Sequence, residues 1–158
     1  MRLNISKSKI MVMGVNSRAG RYAHKINDVI IEEVADFTYL GLSINKWSVI
    51  SNMSSKRVQL LKLAIKELRE TFLRNPHIDV IGRLQFVQSM IYSVALYGGE
   101  IFASECASLE EMHSLIYQVV TKICGLYRGS NKWLTLIDNG INIPQLAARQ
   151  RQLKFCEK

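Results

Sequence analysis

The sequence contains no stretch that would place the protein in or across a membrane. No apolar run approaches the roughly 20 residues that a membrane-spanning helix requires. The N-terminal residues MRLNISKSK also lack the apolar core of a secretory signal. These absences predict an intracellular protein without a membrane partner, and they do not distinguish the nucleus from the cytoplasm.

Residues that form disulfides or hold metal ions are scarce. The three cysteines are odd in number and far apart in the sequence, which fits neither a disulfide framework nor a metal-binding Cys-x-x-Cys pair. His24, His77 and His113 each lack a second histidine or a carboxylate at metal-ligand spacing. We therefore expect reduced structural cysteines, histidines at the surface or hydrogen-bonded in the core, and no metal site.

Paired aspartates are absent as well. No aspartate stands in an Asp-Asp or Asp-x-Asp arrangement; the aspartates are Asp28, Asp36, Asp79 and Asp138. Two-metal phosphoryl transfer needs several carboxylates that converge on ions about 4 Å apart. Phosphate-binding Gly-x-x-x-x-Gly-Lys loops, nucleophile elbows and His-Glu-x-x-His strings do not occur either. The sequence thus offers no complete catalytic site of these kinds.

Positive charge is in excess. The formal net charge of +8 suggests a polyanionic partner, because lysines and arginines displace the counterions condensed on phosphate backbones. Lysine and arginine are absent from residues 84–121 and frequent on both sides of that segment. This distribution predicts a neutral-to-acidic helical hairpin with basic faces beside it.

The first 45 residues have the pattern of short strands. Apolar and β-branched runs alternate with turn-forming residues, as in a small antiparallel β portion. We expect residues 29–34 and 37–44 to form a hairpin through the short connection 33–36. Gly41 is expected to place a kink within the second of these strands.

From about Ser48, apolar residues recur every three or four positions, as on one face of a helix. The predicted stripes are Val58, Leu61, Ile65, Leu68 and Phe72, then Leu84, Val87, Ile91 and Val94, then Met112, Ile116, Val119 and Ile123. The first helix is expected to end at Asn75-Pro76, where the second begins, and the second is expected to end at Gly98-Gly99. The third is expected to start at a capping box at residues 108–111 and to stop at Gly125, and a last helix is expected at 145–155. The fold class is therefore α+β, with a helical bundle after the strands.

Four strings resemble a known family. Leu3-Asn4-Ile5-Ser6-Lys7-Ser8 resembles the L-N-x-x-K-T segment of non-LTR retrotransposon (LINE-type) reverse transcriptases, with serine in place of threonine. Phe37-Thr38-Tyr39-Leu40-Gly41 is similar to the F-x-Y-L-G primer-grip hairpin of that family. Residues 93–100 resemble its S-V-L-x-Y-G-x-E string, with Gly99 where alanine is more usual, and residues 141–155 resemble its I-P-x-L tail more loosely.

The resemblance implies a domain organisation. Residues 1–46 would be the end of the polymerase palm, residues 47–128 a thumb-like helical bundle and residues 129–158 a C-terminal helical extension. In the family, the metal-binding aspartates come shortly before the L-N-x-x-K segment, and this chain begins at Met1, directly ahead of that segment. We therefore expect a fragment of an RNA-directed DNA polymerase, a nucleotidyltransferase, that is inactive alone. No cofactor is expected in this chain, and Mg²⁺ is expected only with the missing catalytic palm.

The resemblance also assigns roles to residues. Lys7 takes the position of a lysine that is proposed to protonate the pyrophosphate leaving group, here as a vestigial general acid. Phe37, Tyr39, Leu40 and Gly41 take the positions of the primer grip, which holds the primer 3′ end. From the residues alone, the alternative for Lys7 is a solvated lysine ahead of a strand. The alternative for the Phe37–Gly41 segment is a buried strand whose aromatic residues pack on the first long helix.

The first long helix carries a predicted nucleic-acid-binding face, where a thumb helix would follow the duplex backbone. Its residues are Lys56, Arg57, Lys62, Lys66, Arg69 and Arg74. The expected partner is an RNA–DNA or DNA duplex, and a separate palm-bearing chain is a further candidate. A charged stripe can equally be the solvated face of an amphipathic helix. Two alternative functions are a helical protein–protein interaction module without nucleic-acid function and an intact polymerase subunit that acts on nucleotides.

Overall fold

Short strands come first in this protein and helices follow. A computed structural model describes residues 4, 7–13, 24–26, 28–47, 49–127 and 129–157. The chain divides into two compact units, Met1–Met53 and Ser54–Lys158. The order of elements confirms the predicted α+β class.

The first unit contains pairs of short strands. They are β1 (Lys9–Ile10), β2 (Lys25–Ile26), β3 (Val29–Ile30), β4 (Glu32–Glu33), β5 (Asp36–Tyr39) and β6 (Leu42–Asn45). Within the described residues, β1 pairs with β4 in parallel, whereas β2 with β3 and β5 with β6 form antiparallel pairs. Lys9 and Glu32 form an ion pair between β1 and β4. The β5–β6 pair carries the predicted primer-grip residues.

The hairpin lies at a different place from the predicted one. Residues 37–44, predicted as one strand, fold back on themselves through Leu40 and Gly41, whose φ angles are 48° and 76°. Two consecutive positive φ angles form the two-residue turn whose twist matches that of antiparallel strands. The predicted hairpin between residues 29–34 and 37–44 is therefore wrong, and Gly41 forms a turn where a kink was expected.

Helices make up the second unit. α1 (Val49–Leu68) continues as a π-helical turn (Arg69–Leu73), and α2 (Val80–Phe86) continues through another (Val87–Ile91) into α3 (Tyr92–Ala95). The helices that follow are α4 (Gly99–Phe102), α5 (Cys106–Cys124), α6 (Lys132–Asp138) and α7 (Pro144–Cys156). The predicted stop at Gly125 is confirmed, because Gly125 caps the C-terminal end of α5 with left-handed backbone angles. The helix before Gly98-Gly99 ends earlier than predicted, at Ala95, and Gly98 is the left-handed residue directly before α4.

Part of each predicted apolar stripe lies in the core of the helical unit. Leu61 of α1, Ile91 of the second π turn and Ile116 of α5 have no exposed surface. α5 packs against α6 and α7, and α4 packs against α7 with Phe102 completely buried. Removing such side chains from water is the main stabilising contribution to a helical bundle.

The break between α1 and α2 is confirmed at Asn75-Pro76, but α2 begins later than predicted. Its first residue is Val80, and Asp79 Oδ1 accepts a hydrogen bond from the Gly82 N–H at 2.8 Å. Asp79 therefore caps the helix, and Asn75 at the predicted break does not. Asn75 instead accepts from the His77 N–H at 3.0 Å and closes the turn between the helices.

The start of α5 also differs from its prediction. The helix begins at Cys106, so Ser108 lies inside the first turn and does not cap it. Ser108 Oγ donates to Ser54 Oγ of α1 at 2.9 Å, where Ser54 is fully buried. The predicted capping box is therefore wrong, because the serine is used for a hydrogen bond between two helices.

Gly98 and Gly99 differ in how they should tolerate a side chain. Gly98 has a φ of 75°, where an L residue is strained, whereas a Cβ on Gly99 would meet Ala148 Cβ at 3.8 Å, an ordinary contact. We expect Gly99→Ala to raise the free energy of unfolding by about 0.5–1 kcal/mol and Gly98→Ala to lower it by about 1 kcal/mol. Urea denaturation checks both, and a destabilised Gly99→Ala would contradict the packing described.

His113 is completely buried, so of the two expected placements it takes the core and not the surface. Neither ring nitrogen makes a hydrogen bond of good geometry among the described residues, although the Glu110 carboxylate and the Lys132 backbone lie close enough to favour the protonated ring. Its Nδ1 lies 3.8 Å from Glu110 Oε2, and its ring meets that of Trp133 edge-on, with centroids 4.9 Å apart. Burial lowers the pKa of His113 below its ordinary value of 6.5, and this outweighs the opposing attraction of Glu110.

Acidification is expected to destabilise the protein through His113. Because the pKa of the imidazole is lower in the folded than in the unfolded chain, the unfolded chain takes up the proton first as the pH falls. The stabilisation is complete above the unfolded pKa of 6.5 and is lost progressively below it. We expect Tm to fall between about pH 7.5 and about pH 5, and His113→Leu to reduce that fall. The exposed His77, changed to Leu, is the control; an equal effect of both substitutions would contradict the assignment.

Candidate nucleic-acid interface

The hairpin β5–β6 exposes an aromatic and an aliphatic side chain at its tip. Tyr39 is 58% exposed and Leu40 70% exposed, and Phe37 lies two residues before Tyr39, on the same face of β5. Leu40 occupies the left-handed region that favours glycine and asparagine, which costs about 1 kcal/mol for a leucine. The interpretation of this segment as a buried strand is wrong, since β5 is exposed along its length.

Lys7 has an exposed side chain in a short helical turn of the first unit. Its backbone N–H donates to the Asn4 carbonyl at 3.2 Å, and Ser8 Oγ donates to the same carbonyl at 3.0 Å. The motif residues Leu3, Ile5 and Ser6 lie outside the described residues. The structure therefore describes only part of the segment that resembles L-N-x-x-K.

Arg57 is the exception among the six residues of the predicted nucleic-acid-binding face. It is only 8% exposed, and its guanidinium carbon lies 4.5 Å from the centre of the Tyr97 ring. The expectation that Arg57 belongs to the exposed basic face is wrong. Arg57 lies four residues before the buried Leu61, so it points to the core side of α1, where stacking on an aromatic ring accommodates its charge.

The other basic residues of this face are exposed, and two of them are paired with carboxylates. Lys62 Nζ lies 2.6 Å from Glu111 Oε1, and Arg74 Nη1 lies 3.0 Å from Glu70 Oε1. Such exposed pairs add little stability, but they offset part of the local positive charge.

Lys66 and Arg69 are the residues of the predicted nucleic-acid-binding face whose positive charge no described carboxylate offsets. Neither has an ion-pair partner in the described part of the chain. They follow Lys62 at spacings of four and three residues, so the three cations lie along one side of the helix. Lys56 is also exposed, near the start of this helix.

A cavity of about 610 Å³ opens beside this stripe at the end of the helical unit. Its lining residues come from α1, its π turn, α2 and α5, and among those described none is a carboxylate. The apolar members are Ile65, Leu73, Val119 and Ile123, and the cationic members are Arg69, Arg74, Arg83 and Lys122. Positive charge is therefore concentrated over an aliphatic floor.

The order of the helices explains why these cations meet. The connection between α1 and α2 is short, so α1 ends near the start of α2. The last residues of α5 line the same cavity, so α5 ends at that same end of the bundle. Arg83 strengthens the connection, because its Nε donates to the Ile78 carbonyl at 2.8 Å and its Nη2 to the Asn75 carbonyl at 2.9 Å. The guanidinium thus ties the turn to α2 and keeps its charge at the cavity.

Arg83 and Lys122 are site residues that the sequence interpretation missed, although a signal was present. They stand directly before and after residues 84–121, the segment without lysine or arginine. If that segment is a helical hairpin, its two ends lie together, and so must the cations that flank it. Arg69 and Arg74 then join them because they end the preceding helix.

Comparisons with protein-family models, with curated proteins and with solved structures gave no match. Within the described residues, no three histidine, cysteine, aspartate or glutamate side chains are grouped to hold a metal ion. No helix of the described part is long and apolar enough to cross a membrane. Functional inference therefore rests on the motifs, the hairpin tip and the cationic end of the helical unit.

Proposed function

We propose that this protein is a reverse-transcriptase-like nucleic-acid-binding protein, whose helical unit binds the phosphate backbone of an RNA–DNA or DNA duplex. The observation that carries the proposal is a set of exposed cations without ion-pair partners in the described chain: Lys66, Arg69 and Lys122. Cations that no carboxylate neutralises attract phosphates and release the counterions condensed on them.

Contacts of this kind fix the position of a duplex without reading its sequence. The exposed face of α1 offers lysine and arginine side chains, and Arg57, which stacks on Tyr97, is buried and does not belong to it. The proposal therefore includes binding that is salt-sensitive and largely independent of sequence. It agrees with the net charge of +8.

A purely structural explanation for these cations also exists. Lys122 lies in the last turn of α5, where a positive charge offsets the negative end of the helix dipole, and Lys66 lies in the last α-helical turn of α1, one π turn before that helix ends. That role is worth about 0.3–1 kcal/mol of stability and involves no ligand. Neutralising these lysines would then change stability alone, whereas the proposal requires a loss of duplex binding.

In the first unit, the proposal gives the hairpin tip the role of a primer grip. Tyr39 and Leu40 would contact the sugar–phosphate edge at a primer 3′ end, and the strained φ of Leu40 supports a functional use of this turn. Lys7 would donate a proton only beside aspartate-bound Mg²⁺. We therefore propose no polymerase activity for this chain alone, and we expect no primer extension with Mg²⁺ or Mn²⁺.

Fluorescence anisotropy with a labelled RNA–DNA hybrid tests the proposed binding. We expect micromolar affinity at low salt, similar affinity for hybrids of different sequence, and a steep loss of affinity as salt is added. A primer-template with a recessed 3′ end should be bound more tightly than a blunt duplex, and Tyr39→Ala should remove that preference. Absence of hybrid binding at low salt would contradict the proposal.

A second candidate function, a protein-binding module, is favoured by apolar side chains exposed on α6 and α7. Leu134, Ile137, Leu146, Leu153 and Phe155 are all exposed, although a helix of a monomeric bundle would bury most such residues. A partner chain, such as one that carries a catalytic palm, could cover them. Size-exclusion chromatography with light scattering tests self-association, and a clean monomer at tens of micromolar protein would weigh against it.

A further inference from the structure

The cavity at the end of the helical unit is more elaborate than duplex binding requires. A phosphate backbone needs exposed cations, which Lys66 already supplies on the open face of α1. The cavity adds an aliphatic floor and a volume of about 610 Å³, within the range of roughly 300–1,000 Å³ that is usual for small-ligand sites. These two features suit a ligand with an apolar part as well as an anionic part.

The floor consists of branched aliphatic side chains from two helices. Ile65 comes from α1, Leu73 from its π turn, and Val119 and Ile123 from α5. Side chains of this kind offer a water-excluding surface on which a planar ring can lie. An anion without an apolar body would leave this surface in contact with water.

The four cations of the cavity are not equally available to a ligand. Arg83 already donates to two carbonyls, and Arg74 is paired with Glu70. Arg69 and Lys122 have no ion pair within the described residues and are exposed at the cavity. A guanidinium and an ammonium from two helices that line one cavity can together hold a phosphate, the first with two parallel hydrogen bonds and the second as a point charge.

We infer that this cavity binds one nucleotide, with its base on the aliphatic floor and its phosphate between Arg69 and Lys122. The choice of a nucleotide over other aromatic anions rests on the proposed function. The nucleotide is either free or an unpaired residue of a bound strand, since both present the same base and phosphate.

Isothermal titration of the full chain with AMP, adenosine and inorganic phosphate tests the site. AMP should bind at least about tenfold more tightly than adenosine or inorganic phosphate, because only AMP occupies both the floor and the cations. Arg69→Gln and Lys122→Gln should each weaken AMP binding about tenfold, as expected for the loss of a charge-assisted hydrogen bond. Lys154→Gln, on the exposed surface of α7, is the matched control and should change AMP binding less than about twofold.

The same titration separates this inference from the proposed function. Duplex binding without AMP binding would overturn the nucleotide site and leave the backbone-binding face intact. AMP binding without duplex binding would retain the site and overturn the proposed function. Equal affinities for AMP and inorganic phosphate would also overturn the inference, because the floor would then contribute nothing.

Two further measurements locate the ligand and identify its source. Amide chemical-shift changes on adding AMP should centre on Ile65, Leu73, Val119 and Ile123, and changes centred elsewhere would overturn the assignment. A duplex with one unpaired nucleotide should bind more tightly than the blunt duplex if the strand supplies the base, and Arg69→Gln should remove the difference. If free nucleotide is the ligand, the two duplexes bind equally while AMP still binds.

Discussion

Replacing Lys66 and Arg69 together by glutamate is expected to weaken duplex binding by about 100-fold or more at about 50 mM salt. The two residues are exposed, lie on one side of α1 and its π turn, and have no ion-pair partner in the described part of the protein. Each reversal removes an attraction to phosphate and adds a repulsion. Anisotropy titration with an RNA–DNA hybrid measures the loss, and urea denaturation shows that the variant remains folded.

The matched control places the same change of charge elsewhere on the helical unit. Arg149→Glu with Lys154→Glu alters two exposed cations of α7. If net charge alone attracts the duplex, both double variants should lose the same affinity. A loss confined to the variant at Lys66 and Arg69 supports a defined interface, and equal losses would contradict it.

Truncating Arg57 to alanine is expected to lower the free energy of unfolding by about 2 kcal/mol and to leave duplex binding of the folded protein unchanged. The side chain is buried and its guanidinium stacks on Tyr97. Burial lowers the pKa of Arg57, although the nearby Tyr97 opposes that effect. The substitution would remove both the stacking contact and the packing of the aliphatic stem.

Lys56→Ala is the control for Arg57→Ala, because Lys56 precedes Arg57 on the same helix and is exposed. Its effect on stability should stay within about 0.5 kcal/mol. Urea denaturation of both variants gives the comparison. Equal free energies of unfolding for the two variants would mean that Arg57 does not hold the helix to the core. A large loss of duplex binding by folded Arg57→Ala would mean that Arg57 contacts the duplex.

Long helices could be predicted from the sequence because their apolar stripes are long. The 3–4 spacing of α1 and α5 extends over several turns, and stripe residues such as Leu61 and Ile116 are completely buried. α6 was missed because a helix of two turns has too few apolar positions to show a period. It forms on an Asn131 cap, whose side chain accepts from the Trp133 and Leu134 N–H groups, and it packs on α5.

The strands were harder to predict because short runs do not fix their partners. A continuous run at residues 37–44 looks like one strand until the turn at Leu40-Gly41 is known. Leucine is a poor residue for a positive φ, so the usual turn signal was weakened there. The parallel pairing of β1 with β4 has no local signal at all, since its partners are distant in the sequence.

The candidate site was predicted in part. The exposed cations of α1 follow from helical periodicity, but the burial of Arg57 depends on Tyr97, forty positions away in sequence. The cavity needs the ends of three helices, and periodicity describes each helix separately. Arg83 and Lys122 could have been placed together only by treating the charge-free segment as a hairpin with adjacent ends.

The salt dependence of duplex binding tests the central claim most directly. If Lys66, Arg69 and Lys122 contact phosphates, a plot of log affinity against log salt should be linear with a slope of about −3, at roughly −0.9 per phosphate neutralised. The Lys66→Gln variant should reduce the magnitude of that slope by about 1. A slope near zero, or one unchanged by neutralising these residues, would contradict backbone binding by this face of the protein.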